Sequence, residues 1–380
     1  MKNIFEFIDN NERKFLSFWE DICNLEGVAE DKAALDVVAD KIQEFARDLG
    51  LFVNRIPFDD CGDFLVIDTK QNADKGVCFL AHMDTVHKNG TFGYPPVKIE
   101  DGKIKGPGVI DCKGGIAIAL LAMKALAVNG YDKNCRLLLT SDEEISNRLG
   151  GQKEMDVIRD SVVGYKAAFN CEVAGVGEVV VSRKGILRYK MEISGIAAHA
   201  GIDYFAGASA VREAAHKILA LESLSTDGGT TFNCGIVQGG RLTNIVPDKC
   251  EILIDVRVKD RDAMQAAIKT LESEAEKVYV SGTQTKLCFI SKREPMLRNE
   301  DTENLFLQLK SVSEKYSLEE LHPIESGGGS DSAYTQLAGV PSVCAVGATG
   351  DFCHTTRDYA NVSSLTTRAK LLSAATLEME

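Results

Sequence analysis

The segment Gly76-Val77-Cys78-Phe79-Leu80-Ala81-His82-Met83-Asp84 decides how this chain is read. Six uncharged residues in a row are short for a helix and suit a buried strand. A histidine and an aspartate then follow at once. In open α/β sheets, sites form at the carboxyl ends of strands, so this pair stands where chemistry is expected. Working outward, four further places carry similar side chains: Asp111, Glu143-Glu144, Glu172 and His354. Two imidazoles with a surplus of carboxylates can hold a pair of zinc-like divalent ions and leave one carboxylate free to move protons. Each piece alone has a bland alternative. Asp111, standing before Gly114-Gly115, could be a helix cap. Glu143-Glu144 could be a solvated acidic loop, and His354 a structural histidine.

Short apolar runs alternate with helical stretches on both sides of this segment. The first ~50 residues read as two helices, with Ile4, Ile8, Phe15, Phe18 and Ile22 at mixed three and four spacing. Gly114 to Val128 is a helix rich in alanine and leucine. Cys135 to Thr140 and Lys166 to Cys171 are strands. The alternation predicts an α/β domain with a mainly parallel sheet. Beyond residue 182 the pattern changes to strand 186–194, helix 208–222, strands 230–238 and 249–258, helix 262–278 and strand 285–290. That order, β-α-β-β-α-β, is the split ferredoxin-like unit. After Glu294-Pro295 the α/β pattern resumes. The expected organisation is a catalytic domain of residues 1–182 plus 293–380, with an inserted α+β lid or dimerisation domain at 183–292.

Composition narrows the partners. The net charge of -13 argues against nucleic acid and offers no basic patch to anionic membranes. No apolar run approaches the ~20 residues of a membrane span. The N-terminus has acids inside its apolar stretch and does not read as a signal peptide. Eleven cysteines, with no CxxC pair, read as reduced thiols of a cytoplasmic protein.

The order of the pieces resembles the M20 metallopeptidase family, and most closely its glutamate carboxypeptidase branch. The resemblance is carried by His82-Met-Asp-Thr-Val86, Gly106-Pro-Gly-Val-Ile-Asp-Cys-Lys-Gly-Gly115, Asp142-Glu-Glu144, Ser194-Gly-Ile-Ala-Ala-His-Ala-Gly201, Asn244-Ile-Val-Pro247, Gly327-Gly-Gly-Ser-Asp331 and His354. It implies a homodimeric hydrolase with two divalent ions per chain, zinc foremost, with cobalt or manganese as alternatives. By resemblance, His82 and Glu172 bind one ion, Glu144 and His354 the other, and Asp111 bridges them through a residue whose bond to Cys112 is cis. Glu143 is the general base and Asp84 supports His82. His199 reaches the neighbouring subunit's site to stabilise an oxyanion. Asn244, Arg257, Gly328 and Ser330 are the expected substrate contacts, with Lys292 and Arg293 as weaker candidates.

Some positions depart from the family pattern. The glycine that often follows the Glu pair is replaced within Ile145-Ser146-Asn147, and Asp203-Tyr204 stands where a small or proline stretch is usual. Cys112, Cys171 and Cys353 each neighbour a proposed metal residue. Adjacent side chains on a strand face opposite ways, so all three are expected to be buried bystanders. His87, His216 and His322 match nothing and are expected to be structural or surface residues. The expected activity is cleavage of an amide bond in a small peptide or N-acyl amino acid, of the carboxypeptidase type. The alternatives are a tripeptidase-type aminopeptidase, an amino-acid deacylase or desuccinylase, or a non-catalytic dimeric binding protein.

Overall fold

The computed structural model describes residues 1–379. The chain divides into two compact units: Met1–Ser182 with Leu297–Ser326 and Ser330–Glu380, and Arg183–Met296 with Gly327–Gly329.

The first unit is built on β3 (Lys75–His82), which follows two helices, α1 (Lys2–Asn24) and α2 (Lys32–Asp48), and a hairpin, β1 (Phe52–Ile56) and β2 (Phe64–Asp68). Strand β4 (Asn134–Thr140) pairs parallel with β3 on one side, and β5 (Ala167–Asn170) on the other. The short strand Ser342–Val343 extends the sheet in parallel beside β5, and the hairpin closes it antiparallel beside β4. The six-stranded sheet is thus mainly parallel, as the strand–helix alternation predicts. Along β3 the side chains alternate between two cores. Val77, Phe79 and Ala81 join the large core, and Cys78 and Leu80 join the smaller one on the opposite face. Burial of each large side chain here stabilises by roughly 1.5–3 kcal/mol.

Helix α3 (Gly114–Val128) is apolar on every side and almost wholly buried, as a helix packed inside a domain should be. Its start lies directly against the end of β5: a Cβ at Gly115 would sit 1.9 Å from the Cys171 carbonyl oxygen. Only glycine permits that approach, which brings the Asp111 turn and the Glu172 segment together. Trp19 of α1 donates its indole N–H to the Val109 carbonyl at 3.0 Å and steadies the same turn. The hairpin β1–β2 is absent from the sequence reading, because β2 is buried on both faces and no residue of β1 is fully buried, so neither shows a buried–exposed alternation.

The second unit contains β6 (Gly185–Ser194), α5 (Ala210–Glu222), β7 (Thr231–Gly239), β8 (Lys249–Val258), α6 (Arg261–Glu276) and β9 (Gln284–Arg293). The sheet order is β7-β8-β6-β9, antiparallel throughout, which is the split ferredoxin-like arrangement. Leu187, Tyr189, Met191 and Ile193 of β6 face Ala210, Ala214 and Leu221 of α5 and Met264 and Leu271 of α6 in one core. Strand β9 runs past the expected end at residue 290. A bulge between Phe289 and Ser291 interrupts its alternation, so the strand continues beyond where the pattern stops.

Candidate metal centre

His82 ends β3, and both its ring nitrogens are engaged. Nδ1 lies 3.2 Å from Asp84 Oδ1 and 3.0 Å from the Asp84 carbonyl oxygen. Nε2 lies 3.0 Å from Asp111 Oδ1. The buried Asp84 carboxylate also accepts the backbone N–H groups of Glu143 at 3.2 Å and Glu144 at 3.0 Å. One aspartate therefore orients an imidazole and seats the turn that carries the Glu pair. Asp111 Oδ2 lies 3.2 Å from His354 Nε2, and that nitrogen is 3.1 Å from Glu144 Oε2. Asp111 thus offers each of its oxygens to a different histidine. Asp111 stands in the turn Val109–Lys113, where its φ of -123° and ψ of 93° break the helical path, not at a strand end. Its bond to Cys112 is cis.

Two sets of donor atoms gather within 4.8 Å of one another: His82, Asp111 and Glu144, and His82, Cys112 and Glu172. The grouping of Cys112 with His82 and Glu172 differs from the sequence expectation. Cys112 lies in the turn, so the alternation that holds on a strand does not apply to it. Its thiol donates to the Cys171 carbonyl at 3.0 Å, and burial pushes it well above the ordinary thiol range. Burial likewise raises Cys171, and raises Cys353 to about 11.

The donor set suits divalent cations. Glu144 Oε1 is buried and has no hydrogen-bond partner among the described residues. A buried carboxylate oxygen without a donor is costly unless a cation satisfies it. In the absence of metal, protons carry the balancing charge. Hydrogen bonds from its ring to Asp111 and Glu144 raise His354 to about 11. Burial, reinforced by repulsion from Asp111, raises Glu144 to about 8. Burial opposes ionisation of Asp111, yet the hydrogen bonds from His354 and His82 hold its carboxyl well below the usual range.

Nearby, His87 and Asp358 face each other, with Nε2 and Oδ2 3.5 Å apart. Both are buried, and burial raises Asp358 to about 6. His87 is buried, and nothing in its sequence context announces the aspartate that it faces. His216 stacks on Tyr279, and His322 is exposed.

The second unit carries most of the remaining candidates. His199 is exposed, and its Nδ1 accepts the Gly201 N–H at 3.1 Å. A neutral ring so bound carries its proton on Nε2 and can donate from there. The Asn244 carbonyl accepts the Ala200 N–H at 2.9 Å, which sets the two segments side by side. The Arg257 guanidinium forks onto Asp255 of the same strand at 2.6 and 3.2 Å and donates to the Gly327 carbonyl at 3.3 Å. Lys292 pairs with Glu294 at 2.7 Å, and Arg293 is buried. Gly328 belongs to this unit, whereas Ser330 belongs to the first. The Ser330 hydroxyl is buried and faces Ser332 and Cys344, which is an internal contact.

Residues 78–378 match the profile of the peptidase family M20/M25/M40. Carboxypeptidase G2 of Pseudomonas sp. (strain RS-16) is 26% identical over 99% of this chain and 91% of its own length. Succinyl-diaminopimelate desuccinylase of Rickettsia canadensis is 25% identical over 77% of this chain and 80% of its own. Aminopeptidase PepT of Bacillus cereus shares the fold, with a TM-score of 0.76, 23% identity, and coverage of 97% of this chain and 99% of that one.

The protonation pattern predicts how stability and metal binding respond to pH. Glu144 keeps its proton in the fold from its ordinary 4.5 up to about 8, and His354 from its ordinary 6.5 up to about 11. Across both windows the folded chain holds protons that the unfolded chain has released. Stability of the metal-stripped protein therefore falls as pH rises. A divalent ion must displace these protons, so it binds more tightly as pH rises. Thermal unfolding at fixed zinc should show a zinc-induced rise in Tm that grows from about pH 6 to about pH 8. A rise independent of pH over that range would contradict the protonation pattern.

Proposed function

The chain belongs to peptidase family M20/M25/M40, and from that premise we propose that it is a di-zinc exopeptidase of the carboxypeptidase type. Its substrate is a small peptide or N-acyl amino acid cut beside a free carboxylate. The observation that carries this reading is Asp111, held between two imidazoles beside the Glu143-Glu144 turn. Its likeness over nearly the whole chain to a protein named carboxypeptidase G2 supports the choice of reaction.

His82 and Glu172 would hold one ion, Glu144 and His354 the other, and Asp111 both. When bound, such ions lower the pKa of a water to about 7 and polarise a carbonyl. Glu143 takes the proton of the attacking water and returns it to the leaving amine, which needs a carboxylate free to alternate between the two states. Its backbone is pinned by Asp84, so only the side chain has to move. Asp84 also holds the His82 ring in one orientation. Asn244, Arg257 and the backbone of Gly328 receive the substrate carboxylate. An arginine fork suits that group, and in the resting chain Asp255 occupies it.

A second reading, deacylation of the desuccinylase type, is favoured by the Rickettsia relative. A panel of small peptides and N-acyl amino acids, each as free acid and as C-terminal amide, separates the two. On the carboxypeptidase reading, amidation lowers kcat/KM by about 10- to 150-fold, the value of a hydrogen bond to a charged group. Equal cleavage of both forms would exclude that reading and favour an aminopeptidase. Cleavage confined to N-succinyl compounds would favour a desuccinylase.

The working form is a homodimer in the cytoplasm. All eleven cysteines are free, which suits a reducing compartment. Strand β7 is one of the two outer strands of its sheet and exposes Ile236 and Val237. An edge of this kind suits antiparallel pairing across a twofold axis. His199 then donates from Nε2 to the oxyanion in the other subunit's site. Co-refolding inactive His199→Ala and Glu143→Gln chains in equal amounts tests this. By twofold symmetry about half the dimers are mixed, each with one intact site, so roughly a quarter of wild-type activity should return. No recovery, with mixed dimers shown to be present, would place His199 in its own chain's site or in none.

A further inference from the structure

The turn that carries Glu143 and Glu144 is strained and is clamped from behind. Ser146 and Asn147 are consecutive left-handed residues, with φ of 64° and 52°. Side chains rarely adopt that region, although asparagine tolerates it better than most. What holds the turn is a buried carboxyl group from outside it. Glu154, in the first turn of α4 (Gly151–Val162), is completely buried. Its Oε2 accepts the Asn147 side-chain amide at 3.1 Å, and its Oε1 accepts the Ser141 N–H at 3.4 Å. Its carboxyl also faces that of Asp142. Asp142 Oδ2 in turn accepts the N–H groups of Leu149 and Gly150 at 2.8 and 2.9 Å. The Asn147 N–H returns to the Asp142 carbonyl at 2.9 Å, and the Ser146 N–H to the Glu143 carbonyl at 2.8 Å. The fit is tight: a Cβ on Gly150 would lie 2.7 Å from Glu154 Oε2.

We propose that Glu154 is a positioning residue for the Glu143-Glu144 turn, holding Ser146 and Asn147 left-handed so that Glu144 is presented to its ion and Glu143 to the reacting water. Asp84 fixes the front of the turn through two backbone N–H groups, and Glu154 with Asp142 fixes its back. The inference rests on the metal reading given above. It differs from simple packing in one respect: it concerns one ion of the two. Glu144 rides on the clamped turn, whereas His82 and Glu172 come from β3 and from the segment after β5.

The test is titration of the metal-stripped protein with cobalt(II), followed by its visible absorption and by calorimetry. In Glu154→Ala, one ion should bind about 10- to 100-fold more weakly, the usual cost of losing a group that supports a ligand. The other should stay close to wild type. Glu154→Gln keeps a donor for Asp142 and an acceptor for the turn, so it should restore most of the lost affinity. Adding Ser146→Gly to Glu154→Ala should restore part of it, since glycine is at ease in the left-handed region. If Glu154→Ala does not fold, Asn147→Ala carries the test, because it removes the amide and leaves the carboxyl pair in place. The same selective loss is expected. A folded Glu154→Ala, or failing that Asn147→Ala, that binds both ions like wild type would overturn the clamp, as would equal weakening of both ions. A wild-type protein that binds fewer than two ions would instead overturn the metal reading.

Discussion

Everything in the first unit turns on gathering negative charge away from water. Asp84, Asp111, Glu143 and Glu172 are buried, and Glu144 nearly so. Carboxylates in such a place cost several kcal/mol each unless something positive or a set of donors meets them. The structure meets them in two ways. Where a carboxylate does fixed work, backbone N–H groups hold it, as they hold Asp84 and one oxygen of Asp142. Where it faces the centre of the cluster, the partners are imidazoles, and one Glu144 oxygen has no hydrogen-bond partner among the described residues. The first kind of carboxylate builds the site, and the second is what a cation would bind.

The fold supplies this arrangement from several directions. Parallel strands β3, β4 and β5 end on the same side of the sheet, so His82, the Glu143-Glu144 turn and Glu172 converge without long loops. Helix α3 closes the group because Gly115 lets its first turn touch the Cys171 backbone. The second unit is built on another principle, with one helix-covered face and a polar one. Its candidate residues lie on strands and turns of a separate core.

Much of this was legible in the sequence, for identifiable reasons. The uncharged run before His82 has few meanings other than a buried strand, and its neighbours repeat the pattern. The ferredoxin-like order showed because half-exposed strands alternate visibly. What stayed hidden were contacts between distant residues that follow no period. Glu154 lies twelve positions after Asp142, on a helix that gives no hint that this glutamate points inward. Asp358 is invisible as the partner of His87. Cys112 is buried, as expected, but because it lies in a turn the alternation rule says nothing of its nearness to His82 and Glu172. The sequence makes Ser330 a candidate substrate donor, but its hydroxyl is buried against Ser332 and Cys344.

In the proposed centre Asp111 is shared by two ions while its neighbours each serve one. The most direct measurement is the metal content of zinc-reconstituted protein, by elemental analysis after removal of free metal, in wild type, Asp111→Asn and His354→Ala. A shared Asp111 gives two ions per wild-type chain, one per His354→Ala chain and strong depletion of both from Asp111→Asn. An Asp111→Asn chain that folds and keeps two ions, or a wild-type chain that saturates at one, would contradict it.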